Sequence, residues 1–472
     1  MRLAELAGKR VAVWGYGREG RAALAALHLR VPQLRPTLFC SETEAASLNF
    51  DDPQAGFDAI LSGRPPAQPA AQIEIITTPP DGAALAAFDV VIKSPGVSRY
   101  RPEVLIAEHA GTHFTAGTAL WFAEHPEAHV IAVTGTKGKS TVSALIAHLL
   151  RALGHRVALA GNIGLPLLEL LDPPLLPHWW VVELSSFQTR DAPAVAVGVI
   201  NNLYEEHLDW HGTRERYAAD KLALAEAAKT LVVNARQNEL VARLDTHPRR
   251  IVFGGADGWH VADGMIARDA QPVFDLARTP LPGSHNALNL CAALAATEAA
   301  GEDARAAAPA IATFHPLPHR LQTLGERDGL IWIDDSIATT PQATLEALAS
   351  LGDRAVTVLV GGFDRGLDWR AFAEHMREHP AHAIVTMGAN GARIRALLDE
   401  SAGSMPVRGE TDLVSALRTA RSLAPPGGVV LLSPGAPSFD QFSDYAARGR
   451  AFAALAGFDG AGADVIEGLG IG

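Results

Sequence analysis

The sequence predicts an α/β fold in three domains, each built on a largely parallel sheet, the first and third Rossmann-like and the central one of the phosphate-binding-loop type. Three observations predict it. The chain has 472 residues, 48% of them hydrophobic, enough at about 150 residues per domain for roughly three cores. Short β-branched runs ending in Gly, Ser, Asn or Asp alternate with Ala/Leu-rich helical stretches along its whole length, as parallel strands covered on both faces do. Two of those strand ends, at Gly15 and Gly135, are glycine-rich turns that open a helix.

The first domain, residues 1–114, has a strand over 11–14 ending at Gly15 and another over 90–93 ending at Ser94-Pro95-Gly96. The central domain, 115–319, has strands over 131–134, 179–183 and 197–200, with a proline-bearing loop over 171–178. Pro316 and Pro318 interrupt the periodicity before the third domain, 320–472, as a hinge would. That domain has strands over 330–333, 356–360 and 429–432, and a Gly-rich tail from 457 expected to fray. In such sheets ligands sit at the carboxyl ends of the strands, where these polar endings fall.

Composition excludes several function classes. Forty basic against 52 acidic residues give a net charge of −12, which repels nucleic acid and anionic membranes, and no basic cluster overrides it. Cys40 and Cys291 lie far apart in apolar stretches, so two buried free thiols of a cytoplasmic protein are expected and no disulfide framework or zinc ribbon is supported. The start lacks a signal-peptide pattern, and charges interrupt every later apolar run before about 18 residues.

The strongest chemical signal is Gly135-Thr136-Lys137-Gly138-Lys139-Ser140-Thr141, entered by a strand and left by a helix. Backbone N–H groups and the helix dipole of such a turn face phosphates, Lys139 neutralises them and Ser140 can ligate Mg²⁺. Two residues rather than the usual four separate Gly135 from Gly138. Gly15-Tyr16-Gly17-Arg18-Glu19-Gly20, with Glu42 roughly 20 residues on, fits a dinucleotide fingerprint and equally a glycine turn that only packs helix on strand. Glu183 stands at a strand end where a phosphate-binding loop needs a Mg²⁺ carboxylate. His207, in Glu205-Glu206-His207-Leu208-Asp209, reads as a second ligand or as a surface polar group. Lys221, taken alone, reads as a solvated lysine on an amphipathic helix.

The order of these motifs resembles the Mur ligase family. The resemblance rests on the 135–141 loop, Gly161-Asn162-Ile163-Gly164, Glu183-Leu184-Ser185-Ser186-Phe187-Gln188, Glu206-His207-Leu208-Asp209, Tyr217 with Lys221, His285-Asn286 with Asn289, His319-Arg320, Asp335-Ser336, and Ser433-Pro434 followed by Ser438-Phe439-Asp440-Gln441-Phe442. Within the family it is most similar to ligases that add glutamate to UDP-N-acetylmuramoyl-L-alanine. The resemblance implies an ATP- and Mg²⁺-dependent reaction in which ATP phosphorylates the substrate carboxylate and the incoming amine attacks the acyl phosphate. It implies Ser140 and Glu183 as ligands of Mg²⁺ at the ATP phosphates, His207 as a ligand of a second Mg²⁺, and Lys221 as a carbamylated lysine helping to hold that ion, which reverses the bland reading. It places Asn286 and Asn289 near the adenine and adds Arg320 and Asp335 as nucleotide contacts. The uridine nucleotide would meet Arg18, Glu19, Ser41, Glu42, Gly96 and Asn162, and the amino acid Thr339, Arg365, Ser438 and Tyr445.

This chain departs from the relatives that add D-glutamate. It reads Asp335-Ser336-Ile337-Ala338-Thr339-Thr340 where they commonly carry lysine after Asp-Ser, and Cys40-Ser41-Glu42 where Asp-Thr/Ser-Arg is usual. The Thr118-Ala119-Leu120-Trp121-Phe122 lead-in, Gly366-Leu367-Asp368-Trp369 and Ser433-Pro434-Gly435-Ala436-Pro437-Ser438 are closer to a subfamily that adds L-glutamate, after which a separate epimerase acts on the product. L-Glutamate is therefore the expected substrate and D-glutamate the alternative. A folate polyglutamate-type ligase, a dinucleotide oxidoreductase and a phosphate-loop switch are more distant alternatives. A cytoplasmic monomer is expected, with closure of the third domain toward the central one.

Overall fold

The computed structural model describes residues 1–46, 73–399, 405–460, 466 and 468–471. Among them the strands form three sheets. The first is wholly parallel, in the order β3-β2-β1-β4-β5, where β1 is Val11–Trp14, β2 Thr37–Phe39, β3 Glu74–Ile76, β4 Val90–Lys93 and β5 His113–Thr115. The chain leaves β1 toward β2 and later returns to β4 on its other side. The switch point therefore lies between β1 and β4, at Gly15 and Ser94.

The central sheet has ten strands. Its parallel part comprises β6 (Val130–Thr134), β7 (Val157–Gly161), β8 (Trp179–Glu183), β9 (Val195–Ile200), β10 (Ala228–Asn234) and β11 (Arg250–Phe253), with β6 between β8 and β9. At β6 the connections cross from one side to the other, so the loop after β6 opens into a switch-point crevice. Beyond β11 come β12 (Trp259–Ala262), β13 (Met265–Arg268) and β14 (Gln271–Asp275), of which β12–β13 and β13–β14 pair antiparallel.

The third sheet contains β15 (Gln322–Arg327), β16 (Leu330–Asp334), β17 (Val356–Val360), β18 (Ala383–Thr386), β19 (Val407–Gly409) and β20 (Val429–Leu432), ordered β15-β16-β20-β17-β18-β19. β15 is its antiparallel edge strand. Val358 and Val360 pack with Trp369, Phe372 and Ile384 on one face. Leu359, Val430 and Leu432 pack with Leu413, Leu417 and Phe452 on the other. This two-sided burial explains why the strands read as nearly continuous apolar runs.

By compactness the chain divides into two units, one of Met1–Arg278, Leu288–Ala312 and Gly468–Gly472, the other of Thr279–Ala287 and Thr313–Glu467. Inside the first unit a single core joins Val13, Leu24 and Leu27 of the first sheet's side to Trp121, Val130 and Val182 of the central one.

Two expectations about detail are corrected. The described end of the tail is held: β21 (Gly470–Ile471) pairs antiparallel with β7 and the Gly468 carbonyl accepts from Arg151 at 2.7 Å, so backbone pairing offsets its glycine content. Cys291 is buried, whereas Cys40, one residue past β2 at the sheet's polar end, is only half-buried. No helix among the described residues is long and apolar enough to cross a membrane.

Candidate active site

The loop after β6 is a braced glycine turn. Gly138, at φ +77°, is the left-handed residue that starts the helix Lys139–Ala152. A Cβ there would lie 2.5 Å from Asn289 Oδ1 and 2.6 Å from Asn201 Nδ2. The brace comes from two asparagines at the end of β9. Asn202 Oδ1 accepts from Lys137 N at 2.8 Å, and the amides of Asn201 and Asn202 both donate to the Lys137 carbonyl at 3.1 and 3.0 Å. Asn289 Oδ1 in turn accepts from Asn201 at 3.0 Å. Thr136 shares a 2.6 Å hydrogen bond with the Tyr217 hydroxyl. Lys139 Nζ lies across the turn, donating to the carbonyls of Gly135 and Thr136 at 3.0 Å each, and Ser140 and Thr141 are buried at the first helical turn.

Glu183 ends β8 beside this loop and is buried. Its Oε1 accepts from Asn162 Nδ2 at 2.7 Å, while the buried Oε2 has no hydrogen-bond partner. A buried carboxylate oxygen without a donor costs several kcal/mol unless a cation satisfies it. The donor set is hard oxygen, which suits Mg²⁺, an ion that keeps waters and substrate phosphates in its shell and needs few protein ligands. Among the described residues no three His, Cys, Asp and Glu side chains form a ready-made cage.

Lys221, on the helix Arg214–Ala227, is buried, contrary to the solvated reading of the residue taken alone. The helix turns it toward the phosphate loop, where its Nζ donates to the Gly135 carbonyl at 2.9 Å. Burial first, then the Lys139 cation, pushes its ammonium well below the usual lysine range, against the opposing pull of Glu206 and Glu183. His207 caps the short helix Leu208–His211 at φ +56° and is half-exposed, 3.7 Å from Glu206. Desolvation lowers its pKa, which favours the neutral imidazole that a metal requires.

The residues expected around a uridine nucleotide fall at the first switch point and beside Glu183. Gly15, at φ +99°, lies where a Cβ would meet Ser94 Oγ at 2.6 Å. Arg18 and Glu19 open the helix Arg18–Arg30, with Arg18 reaching the Gly164 carbonyl at 3.4 Å. Burial first, then Asp191 and Glu169, raise the Glu19 carboxyl to about 7. Ser41 and Glu42 are exposed after β2, where Ser41 and Glu44 cap one another, and Gly96 is exposed after β4. Asn162 stands on Glu183.

In the second unit, Asp335 follows β16, accepting from Ser433 Oγ at 2.7 Å and from Leu321 N at 3.2 Å. Burial raises its carboxyl to about 7 despite the Ser433 hydrogen bond. Arg320 is half-buried, and Asn286, whose amide donates to the Pro282 carbonyl at 2.7 Å, also belongs to this unit. Thr339 and Tyr445 are half-buried and Arg365 is exposed. Ser438 is buried with its Oγ unpartnered.

The Mur ligase middle-domain family matches residues 133–297 and the Mur ligase glutamate-ligase-domain family matches residues 319–435. The UDP-N-acetylmuramoyl-L-alanine–L-glutamate ligase of Xanthomonas euvesicatoria pv. vesicatoria is 50% identical over 100% of both chains. The protein of that name from Micromonospora sp. is 42% identical over 96% of this chain and 97% of its own. The chain belongs to the Mur ligase family. Among solved structures, the UDP-N-acetylmuramate–alanine ligase of Thermotoga maritima shares the fold, with a TM-score of 0.59 at 18% identity over 94% of this chain and 98% of the other. MurF ligase from Thermotoga maritima, solved with ADP, does so with a TM-score of 0.54 at 17% identity over 78% and 88%.

In this Mur ligase the sequence reading had missed the bracing residues. Asn201 and Asn202 were visible only as a strand end, and Tyr217 only as the motif partner of Lys221. Two adjacent asparagines where an apolar run stops were the available signal, since side-chain amides commonly pair with loop backbone.

Proposed function

We propose that this chain is an ATP-dependent ligase that joins the amino group of L-glutamate to the alanyl carboxylate of UDP-N-acetylmuramoyl-L-alanine in peptidoglycan precursor synthesis. The observation that carries the reading is the full-length match, at 50% identity, to a protein bearing that name. The geometry supports it. The 135–141 loop offers N–H groups, a helix N-terminus and Lys139 to the ATP phosphates, and Glu183 Oε2 with Ser140 would hold Mg²⁺ there. Bound Mg²⁺ supplies charge neutralisation to the transferring phosphoryl group. Lys139 shares that task and can follow the charge as it moves to the leaving phosphate.

Burial that lowers the ammonium's pKa favours the free amine, the form of lysine that is a nucleophile for CO₂. In the proposed carbamylation, the Lys221 nitrogen lone pair forms the N–C bond, one C=O π pair moves onto oxygen, and a proton leaves to water. The resulting carboxylate would join His207 at a second Mg²⁺. The amino-acid carboxylates fall to the second unit, where Arg365 offers a bidentate guanidinium and Ser438 and Thr339 offer hydroxyls. The uridine nucleotide falls to the first switch point.

The test is phosphate release from ATP with UDP-N-acetylmuramoyl-L-alanine and either L- or D-glutamate. Release with the L-isomer alone is expected. Release with the D-isomer alone overturns the stereochemistry, and phosphate release that ignores both amino acids overturns the ligase.

A further inference from the structure

Asp220 precedes Lys221 on the helix Arg214–Ala227 and is buried in a hub of polar side chains. Its Oδ2 is 2.8 Å from His211 Nδ1, and His211 Nε2 is 3.0 Å from Ser186 Oγ. Its Oδ1 accepts from Arg190 Nε at 2.5 Å, and the Tyr100 hydroxyl lies 2.9 Å from both carboxylate oxygens. The Asp220 backbone carbonyl accepts from Thr189 Oγ1 at 2.6 Å. Ser186, His211 and Asp220 thus form a Ser–His–Asp relay, but all three are buried, so the serine meets no substrate and the relay serves geometry.

The four segments tied by the hub are those the site depends on. Ser186 follows Glu183 after β8. Arg190 belongs to the turn Thr189–Asp191. His211 ends the short helix that His207 caps. Tyr100 follows the strand end at Gly96, a segment also fastened where Ser98 Oγ donates to the Trp210 carbonyl at 2.6 Å and Trp210 Nε1 to the Pro95 carbonyl at 2.9 Å.

On the adjoining face the same helix is fixed by Tyr217, one turn before Asp220 and with its ring 5.2 Å from that of His211, to Thr136 and by Lys221 to Gly135. A helix free to turn or slide by a fraction of a residue would carry Lys221 away from Glu183, and anchors on two adjoining faces remove that freedom. Removing one partner of a buried, hydrogen-bonded charged group is the costly way to break such a hub.

We propose that Asp220 is a positioning residue that fixes Lys221 in register with Glu183 and the phosphate loop. It acts through Lys221, resting on the reading of that lysine as a carbamate. The test observes the carbamate directly, by ¹³C NMR of the full-length protein in ¹³C-bicarbonate, with turnover measured in parallel. A carbamate resonance in the parent, absent from Lys221→Ala, is expected. Asp220→Asn should cut both the signal at fixed bicarbonate and the turnover by about tenfold or more, as expected for residues in one network.

In Lys221→Ala rescued with formate, adding Asp220→Asn should cost little, since nothing is left to position. An equal loss in both backgrounds overturns the proposal, as does an undiminished signal in Asp220→Asn. No resonance in the parent would instead sink the carbamate reading and the positioning role with it. Tyr100→Phe, which deletes one hydroxyl from the hub, makes the same comparison in a gentler variant, with a smaller loss in both readouts expected and no loss in either counting against the hub.

Discussion

At the scale of single residues, each unit carries carboxyl groups that burial holds toward their neutral forms. Glu19 and Asp335 lie at about 7 and Asp191 at about 6, each raised chiefly by burial. A carboxyl whose folded pKa exceeds its unfolded value binds its proton more tightly in the native state. Its contribution to stability is therefore largest below the unfolded pKa and is lost as pH rises through the folded one. For Glu19 the window runs from about 4.5 to about 7. Replacing it by glutamine, which is neutral throughout, should flatten the fall of melting temperature between pH 5 and about 7.5 and leave the variant more stable than the parent at the upper end. Parallel pH-dependent slopes for parent and Glu19→Gln would refute this. None of these shifts was legible in sequence, because each depends on which neighbours the fold removes from water. Glu19 itself was legible, but only as a position after a glycine turn. Lys221 shows the same limit: nothing in Asp220-Lys221-Leu222 separates a solvated from a buried amine, and only the motif order pointed away from the solvated reading that its burial overturns.

At the scale of elements, long strands at sheet centres were legible and short or antiparallel ones were not. β1, β4, β8, β17 and β20 coincide with the expected runs because two-sided burial leaves them almost wholly apolar, with only Lys93 and Glu183 at strand ends and the buried Thr357 as exceptions. β2, β3, β5 and β19 have three residues each, too few for a pattern to rise above the background. The β12–β14 meander was missed although Asp263-Gly264, both at positive φ, is a strong hairpin signal. The phosphate loop was legible as a motif, while its brace was not, since Asn201, Asn202 and Asn289 are brought together by the sheet and the helix Ser284–Ala299. That brace yields a prediction. Gly138→Ala must place a Cβ within 2.6 Å of both Asn289 and Asn201 while holding a left-handed φ of +77°. The backbone alone costs about 1–2 kcal/mol, and displaced asparagines add to it. Turnover at saturating glutamate should require at least about tenfold more ATP, the equivalent of ~1.4 kcal/mol. An unchanged KM for ATP would show that the loop tolerates the Cβ and that the brace does not shape the cradle.

At the scale of the whole molecule, a chain of net charge −12 handles substrates that are themselves anionic, so attraction must be local. On the proposed function the devices would be the loop N–H groups, Lys139, Arg365 and bound cations, with the unpartnered Glu183 Oε2 as the anchor for one of these. Two compact units also mean that heat unfolding need not be a single two-state event. Ligand binding then stabilises the unit that holds the ligand, and the phosphate loop lies wholly in the unit containing Met1–Arg278. A non-hydrolysable ATP analogue with Mg²⁺ at 100 times its Kd should add about 2.7 kcal/mol to that unit. By the size of the unit this raises its calorimetric midpoint by roughly 4 °C. Lys139→Ala should abolish the shift while leaving the ligand-free midpoint nearly in place, because Lys139 is half-buried and its bonds to the Gly135 and Thr136 carbonyls stay within the loop. A shift that survives Lys139→Ala would place nucleotide binding elsewhere on the chain. A ligand-free midpoint that collapses would mean that Lys139 mainly holds the loop together, and that the cradle's attraction for phosphate comes from its backbone.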